Sequence, residues 1–410
     1  ARPADKRAAA DVDAAFAWWL KSRDPASREL QAKLTSLEQE KAALQARGTI
    51  AHVMQEKPKD AMAYVLNRGE YDQRRDPVKP QTPEALPPMP PDLPRNRLGL
   101  AKWLLMPEHP LTARVTVNRF WQEVFGQGIV RTTGDLGVSG ELPTHPELLD
   151  WMAVEFRDSG WDVKRFYKML VTSSTYRQSA AASPEKIEKD PSNRLLARGP
   201  RFRMDAEMIR DYALAASGLL TAKVGGPSVR PYQPEGVWEA VAMPESNTHF
   251  YKRDDGPALY RRSLYTFWKR AAPPASLEVF NAPSREFCTV RRERTNTPLQ
   301  ALVTMNDPQF VEAARALAQR TLAEAPEEGD ARIDFLARRL LARPLLDAEA
   351  KVVRSSLDRL VAYYQSHPDD AAKLLKVGEL PAVPNQDPAL VASWTMLANE
   401  LLNLDEVVSK

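Results

Sequence analysis

The stretch of sequence with the clearest chemical potential is SREFCTVRRERTNTPLQ, residues 284–300, which contains the chain's single cysteine, Cys288. Four arginines flank that cysteine: Arg285, Arg291, Arg292 and Arg294. Nearby guanidinium groups lower the pKa of a thiol and favour the nucleophilic thiolate. They also bind carboxylate, sulfate or phosphate groups through paired N–H donors. The stretch therefore predicts either a reactive Cys288, which is then a candidate catalytic residue, or an anion-binding site.

The anion-binding interpretation gains support from a helix that is predicted to begin directly after the arginines. Thr297 followed by Pro298 is typical of a helix N-cap and first turn, and the N–H groups of a first turn attract anions. We expect an anion or anionic-glycan site that uses Arg285, Arg291, Arg292 and Arg294. The alternative is a set of internal salt bridges with Glu286 and Glu293, in which Cys288 is simply a buried small residue.

A polar pair, Arg114 and Asn118, interrupts the otherwise apolar helical pattern RVTVNRFW. Residues four apart lie on the same face of a helix, so both side chains are expected to point in one direction. They are candidate ligand-binding residues if that face opens into a cleft. The alternative is that their hydrogen bonds fix the loop that follows Gly126.

The loop TGDLGVSGELPTHPE, residues 133–147, supplies candidate acid–base groups. Asp135 and His145 are candidate catalytic residues, and Glu141 is a further acidic candidate. Glu147 is instead expected to form a capping box with Thr144 at the start of a helix. The chain contains no H-x-x-x-H, H-E-x-x-H or G-x-S-x-G motif, so the sequence predicts no metal site and no recognisable hydrolase centre.

The segment from Gly225 to Arg270 is rich in glycine, proline and aromatic residues. A turn signal at residues 254–256, followed by a β-rich run, predicts one or two hairpins. Trp268, with Arg261 and Arg262, forms a candidate surface on which sugars stack and anions bind. The alternative is that the aromatic side chains form the core of a small subdomain.

Composition excludes several function classes. The 410 residues carry a formal net charge of +3, whereas a dedicated nucleic-acid binder usually has a strong basic excess. No apolar run reaches the roughly eighteen residues of a membrane-spanning helix. One cysteine excludes an intramolecular disulfide, and no C-x-x-C-H motif attaches a c-type haem. We expect no nucleic-acid partner, no transmembrane segment and no cofactor in the chain itself.

The elements that position these groups are predicted to be mostly helices. We expect a mainly α, multi-helical body with a small β-rich insert at about residues 225–270 and an N-terminal helical arm. The arm and some short strands occupy residues 1–75, and residues 96–410 form the main domain. Residues 76–95 between them are a connector, because eight prolines there cannot support a helix or a central strand.

Three blocks of the sequence resemble one known family. They are HPLTARVTVNRFWQEVFGQGIVRTTGDLGVSGELPTHPELLDWMAVEF, GPRFRMDAEMIRDYALAASGLL and FCTVRRERTNTPLQALVTMNDPQFVEAARALA. They resemble the C-terminal PSD domain of unknown function found in planctomycetes and related bacteria. LLNLDEVVSK resembles the usual C-terminal end of that domain, and the resemblance covers roughly residues 53–410.

The resemblance implies an exported protein, whether periplasmic, cell-surface or secreted. Family members usually follow a second domain of unknown function and often a planctomycete-type c-type cytochrome domain. An upstream domain of the same precursor is therefore an expected partner, with c-type haem on a separate domain and residues 11–47 at the junction. The family supplies no catalytic residues that can be carried over.

Two functions remain open at this point. The chain is either a non-catalytic, cytochrome-associated module that docks an anionic partner or glycan, or an enzyme that acts on an acidic or sulfated polysaccharide. A single cleft shared by the NRFW helix and the Cys288 loop would favour the enzyme. Arginines that are all paired with internal acids would favour docking.

Overall fold

The structure, a computed structural model, describes residues 8–48, 51–57, 62–327 and 329–410. The chain divides into two compact units, Ala1–Trp103 and Leu104–Lys410. Helices account for nearly all of the regular structure, which confirms the prediction of a mainly α fold with little β structure. Within the described ranges, no helix combines the length and apolar character needed to cross a membrane.

The N-terminal unit begins with two helices, α1 (Ala9–Ser22) and α2 (Pro25–Arg47). They are separated at Asp24, where the sequence predicts a break. The Asp24 carboxylate accepts a hydrogen bond from the backbone N–H of Ser27 at 2.7 Å, which satisfies one of the unpaired donors of the first turn. The leucines of α2 remain more than half exposed: Leu30, Leu34, Leu37 and Leu44.

The same unit contains the one regular sheet of the described residues. Strands β1 (Ala63–Leu66) and β2 (Arg74–Val78) pair in antiparallel fashion, with a bulge between Tyr64 and Leu66. Strand β1 lies among the residues for which short strands are predicted, 49–73, of which 49, 50 and 58–61 lie outside the described ranges. Strand β2 lies beyond them and extends to Val78, within the segment predicted as a connector.

A further helix, α3 (Arg97–Leu104), follows the proline-rich connector. The described residues of the C-terminal unit form thirteen more α-helices. In chain order these are α4 (Thr112–Phe125), α5 (Pro146–Asp158), α6 (Val163–Thr172), α7 (Pro184–Lys189), α8 (Ala206–Ser217), α9 (Ala275–Val279), α10 (Pro298–Asn306), α11 (Pro308–Glu324), α12 (Gly329–Leu341), α13 (Asp347–Ser366), α14 (Pro368–Leu374), α15 (Pro388–Leu402) and α16 (Asp405–Val408).

Two apolar cores organise this unit. Helices α4, α5 and α6 enclose an aromatic core in which the rings of Phe120, Phe156 and Phe166 contact one another at centroid distances of 5.3–5.9 Å. A larger core surrounds α11 and α15, where Leu317 and Ala398 are completely buried. Small side chains on both helices allow their backbones to approach closely, which favours dense packing.

Residues 225–270 do not form the predicted hairpins. Their described backbone pairing is limited to isolated bridges, such as Val229 with Thr266. Buried side chains replace strand pairing: the Arg210 guanidinium of α8 donates to the carbonyl oxygens of Leu259 at 2.7 Å and Arg261 at 2.8 Å. Burial lowers the pKa of Arg210 to about 10. A long-range donor of this kind leaves no periodic signal in the sequence, so the turn and aromatic composition suggested strands instead.

A buried carboxylate also anchors this segment to α11. The side chain of Glu312 is fully buried and accepts hydrogen bonds from the hydroxyls of Tyr232 at 2.9 Å and Tyr260 at 3.0 Å. It also accepts from the backbone N–H groups of Glu379 and Leu380, at 2.5 and 2.6 Å. One charged group therefore joins residues 225–270, α11 and the loop after α14, and its hydrogen bonds offset the cost of burying it.

Candidate functional site

A large cleft lies in the C-terminal unit, with a cavity volume of about 990 Å³. It is formed by the end of α4 and the loop after it, by residues 180–205, and by residues 291–294. We call it the arginine cleft, after the charged residues of its wall. These are Arg131, Arg194, Arg198, Arg201, Arg291, Arg292 and Arg294, together with Glu123, Glu141, Asp205 and Glu293.

The wall of the arginine cleft carries a surplus of positive charge. Seven arginines and four carboxyl groups line it. Two of the arginines also have carboxylate partners outside the lining, since Arg292 contacts Glu207 and Arg201 contacts Asp405, each at 2.5 Å. The arginines still outnumber these six carboxyl groups, and the low-dielectric walls of a concave surface strengthen the field of the remaining positive charge.

The loop after α4 is held by reciprocal hydrogen bonds. The Asn118 side chain donates to the carbonyl of Val130 and accepts from its N–H, each at 2.9 Å. Gly126 ends α4 in the left-handed conformation, with φ of 83°. Gly128 has no room for a side chain, because a Cβ there would lie 2.7 Å from the Asn118 amide nitrogen. Asn118 thus positions the cleft wall from behind, as the loop-fixing interpretation predicts.

Two arginines hold the Glu141 carboxylate on the side of the cleft that the loop after α4 forms. Arg131 and Arg194 contact its carboxylate at 2.7 and 2.8 Å. Their hydrogen bonds hold the pKa of Glu141 below its usual range, so this carboxylate stays ionised under mildly acidic conditions.

A second charged cluster lies where residues 291–294 approach α8. Arg292 makes two contacts to the carboxylate of Glu207, at 2.5 and 3.2 Å. Arg294 donates to the carbonyl of Gly126 at 3.0 Å, and its guanidinium lies 4.3 Å from the centre of the Phe202 ring. Asp205 lies 3.5 Å from Arg294, so the cluster combines cations with a carboxylate.

Two other arginines of the cleft, Arg198 and Arg291, lack a firm carboxylate partner among the described residues. Arg198 donates to the carbonyls of Asp190 and Pro191, at 2.9 and 2.8 Å, and carbonyls leave its charge uncompensated. Arg291 contacts Glu293 at 3.4 Å, with side chains 52% and 75% exposed. Such an exposed pair contributes little, so Arg291 is available to an anionic ligand.

Glu123 differs from the other acidic residues of the wall. It lies in the last turn of α4 and forms no hydrogen bond or ion pair within the described chain. Desolvation in the cleft, reinforced by the Asp205 carboxylate, raises the pKa of Glu123 against the opposing effect of Arg294 and Arg292. The cleft therefore holds carboxyl groups whose pKa values are displaced in opposite directions, as acid–base chemistry requires.

Two segments that are distant in the sequence pair through their backbones beside this cluster. The backbones of Phe202 and Lys410 exchange two hydrogen bonds, at 3.0 and 2.8 Å. Met204 also donates to the carbonyl of Val408 at 3.0 Å. This short ladder fixes the segment that carries Phe202 and Asp205.

The structure brings together only part of the predicted anion site. Arg291, Arg292 and Arg294 line the cleft, and Asn118 supports its wall. Arg114 shares a helix face with Asn118 but lines a separate cavity, where it contacts Asp150 at 2.6 Å. Thus the NRFW helix and the arginine segment do share one cleft, while several of the predicted arginines are paired internally.

Three predicted catalytic candidates, Cys288, Asp135 and His145, lie outside the lining of the cleft, whereas Glu141 lies in it. Cys288 is exposed, and the Asp135 carboxylate accepts a hydrogen bond from Gly137 at 2.8 Å within its own turn. His145 is the N-cap of α5 and its Nδ1 lies 2.9 Å from the hydroxyl of Thr144. The predicted capping box at Thr144 is therefore wrong, because Pro146 occupies the first helical position and shifts the start by one residue.

The remaining predicted residues belong to the aromatic segment. Arg261 is buried, donates to three backbone carbonyls and lies 3.7 Å from the Tyr265 ring, so its role there is structural. Arg262 lies 3.5 Å from the Asp211 carboxylate. Arg285 lies 4.6 Å from the Trp268 ring. Arg262 and Arg285 are not part of the arginine cleft.

Sequence reasoning missed half of the cleft. Arg194, Arg198 and Arg201 come from SNRLLARGPR, which holds as many arginines as residues 291–294 but spreads them over ten residues. Those three arginines were the available signal, and it is weaker than the signal of residues 291–294. Glu123 gives no such signal, since a glutamate near a helix end is ordinary in sequence. Within the described ranges, no three His, Cys, Asp or Glu side chains are grouped to hold a metal ion.

Comparison with known proteins places the chain without assigning a reaction. Residues 96–357 match PSD1, a family described as proteins of unknown function (DUF1553). The match spans more than half of the 410 residues, and it confirms the family resemblance identified from the three sequence blocks. No curated protein and no solved structure is significantly similar to the chain.

Proposed function

This chain belongs to the DUF1553 family, whose description names no activity, and from its own residues we propose that the arginine cleft binds an acidic or sulfated polysaccharide. The observation that carries the proposal is the concentration of seven arginines on the wall of one concave surface. Arginine suits such a ligand because its planar fork matches the geometry of carboxylate and sulfate oxygens.

The dimensions of the cleft support a ligand larger than a simple ion. Small-molecule sites typically have volumes of about 300–1,000 Å³, and the arginine cleft, at about 990 Å³, lies at the upper end. Its wall also includes aromatic surface, for example Phe202 beneath Arg294. Sugars combine apolar ring faces with polar edges, so a wall of arginines and aromatic rings provides complementary groups for both.

The internal ion pairs do not remove the capacity to bind. Glu141 is shared by two arginines and Asp205 by two others, with contacts of 3.5 and 3.9 Å for the second pair. A carboxylate shared in this way leaves each guanidinium with N–H donors that an incoming anion can use. Pairing also holds these long side chains in place, which reduces the entropy lost on binding.

We extend the proposal to the setting of the protein, as an exported module associated with a cytochrome. The resemblance identified from the sequence supports this setting. A reduced-minus-oxidised visible spectrum of native material, with intact masses of its polypeptides, tests it. A c-type haem band with a co-purifying upstream chain is expected, and a single colourless chain contradicts the association.

Equilibrium binding tests the glycan proposal directly. The probes are chondroitin sulfate, dextran sulfate and polygalacturonate, with neutral dextran and a single-stranded DNA of equal charge as controls. We expect binding to at least one acidic glycan that weakens as salt increases and no binding to neutral dextran. Equal affinity for the DNA would show only polyanion binding and contradict a glycan site. Absence of binding to all three acidic polymers at low salt would refute the proposal.

A further inference from the structure

We propose that the arginine cleft cleaves the acidic polysaccharide it binds, with Glu123 donating the proton to the leaving glycosidic oxygen and Asp205 accepting a proton from the attacking water. This inference rests on the proposed function and adds a reaction to it. The proposed enzymatic activity then depends on two carboxyl groups of the cleft. It does not use His145, Asp135 or Cys288, which lie outside the lining of the cleft.

The position of Glu123 suits a proton donor. It faces the cavity from the last turn of α4, and Gly126 ends that helix three residues later. Within the described chain its carboxyl group makes no hydrogen bond and no ion pair. A structural glutamate in a charged cleft would normally be paired with an arginine, as Glu141 is. Glu123 is left available to a ligand.

The groups around Glu123 favour the protonated form of its carboxyl group more than water does. Desolvation makes the largest contribution to the raised pKa of Glu123, and the negative charge of Asp205 raises that pKa further. Arg294, Arg292 and Lys410 oppose this increase, but the net direction remains upward. Tyr167 is the other titratable neighbour, and burial together with Glu123 raises its pKa, so that phenol stays neutral. A raised pKa keeps the proton that a general acid must donate.

Asp205 supplies the second carboxyl group. It precedes α8, and its side chain is not used to cap that helix. Its carboxylate lines the same cavity and lies 3.5 Å from Arg294 and 3.9 Å from Arg292. In the proposed reaction it is the carboxyl group that takes a proton from the attacking water. Glycosidases use this division of roles, in which one carboxyl donates a proton while the other remains ionised.

The proposed step is a hydrolysis that balances without any further reactant. The bond between the anomeric carbon and the glycosidic oxygen breaks as the Glu123 proton moves to that oxygen. Water adds to the anomeric carbon and gives a proton to the Asp205 carboxylate. Solvent then returns one proton to Glu123 and removes one from Asp205. The neighbouring Arg292 and Arg294 are placed to hold an acidic group of the sugar at the cleavage point.

The test compares the wild-type protein with Glu123→Gln, using the acidic polymer that the wild-type protein binds best. New reducing ends are measured as a function of pH, and binding is measured in parallel. We expect Glu123→Gln to keep its affinity but to lose at least about 100-fold in rate, since general acids contribute on the order of 10²–10⁴. Glu123→Asp, which keeps a carboxyl group, should recover part of that rate.

The control is Glu235→Gln, because Glu235 is exposed and outside the cleft. It should match the wild-type protein in both rate and binding. The wild-type rate should fall as the pH rises through the pKa of Glu123. If the protein binds a polymer but releases no reducing ends, or if Glu123→Gln cleaves at the wild-type rate, the inference is overturned while the binding proposal stands. If neither protein binds, both proposals fail.

Discussion

Asn118 and Val130 form a closed pair of hydrogen bonds, in which one side-chain amide donates to and accepts from the same backbone residue at 2.9 Å. Asn118 is completely buried. The pair joins the middle of α4 to the loop that carries Arg131 into the cleft. A side chain that lies outside the lining of the cleft thus decides where one of the cleft arginines lies.

We expect Asn118→Ala to lower the free energy of unfolding by about 2–4 kcal/mol, because it leaves a buried donor and a buried acceptor unsatisfied. Urea unfolding measures the loss. Asn247→Ala is the control, as Asn247 is exposed and makes no hydrogen bond within the described residues. Glycan affinity should fall as well. Equal stability of the two variants would show that the pair does not hold the loop.

Arg291→Ala and Arg292→Ala should both weaken binding, but only Arg292→Ala should also lower stability. Arg291 has one weak partner, so its loss is expected to weaken glycan binding about tenfold, or about 1.4 kcal/mol, without lowering the melting temperature. Arg292 makes two contacts to Glu207, so its loss should reduce both binding and stability. Arg270, with a side chain that is 64% exposed, lies outside the cleft and gives the control Arg270→Ala. Unchanged binding in both cleft variants would discard the anionic-glycan proposal.

Gly378→Ala should destabilise the protein by about 2 kcal/mol or more, because a left-handed residue gains a side chain in a filled space. Gly378 has φ of 83°, and an added Cβ would lie 2.4 Å from the carboxylate carbon of Glu312. Gly160→Ala separates the two causes, since Gly160 has φ of 76° and open space around it. Thermal unfolding of both variants measures the difference, and equal losses would mean that the Glu312 contact is unimportant.

Low pH should weaken the ion pairs between Arg343 and its two carboxylate partners. Arg343 contacts Glu349 at 2.8 Å and Glu406 at 2.6 Å, and its hydrogen bonds lower the pKa of Glu349 from 4.5 to about 2. A carboxyl group whose pKa is lower in the folded protein than in the unfolded chain stabilises the folded state at pH values above the unfolded pKa. This stabilisation is lost as the pH falls through the folded pKa. The stability difference between the wild-type protein and Arg343→Met should therefore shrink between about pH 4.5 and pH 2. A difference that is constant with pH would contradict this assignment.

The sequence predicts the helices well where local rules decide their ends. Asp24–Pro25 and Gly126 mark boundaries through capping and backbone conformation, and both are found where expected. It fails for residues 225–270, whose backbone is satisfied by Arg210 and Glu312 from distant helices. Such contacts depend on the tertiary fold, and local periodicity carries no information about them.

The candidate site, like the fold, can be predicted from the sequence only in part. The arginines of residues 291–294 are adjacent in the chain, so their density is visible in the sequence. Glu123 and Asp205 are far apart in sequence and become neighbours only through packing. Arg114 and Asn118 do share a helix face, but the two side chains reach different neighbours, Asp150 and Val130. Spacing can predict a common face, while the partner on that face is set by the fold.

The ladder between Phe202 and Lys410 has a consequence for how the protein acquires its cleft. Its hydrogen bonds close a loop of about two hundred residues, and contacts of such high sequence separation form late because chain entropy must be lost before they are made. The wall that carries Phe202 and Asp205 is therefore expected to be complete only in the fully folded chain. Ligand binding should then report the native state, and a chain in which this ladder has not formed should not bind in the same assay.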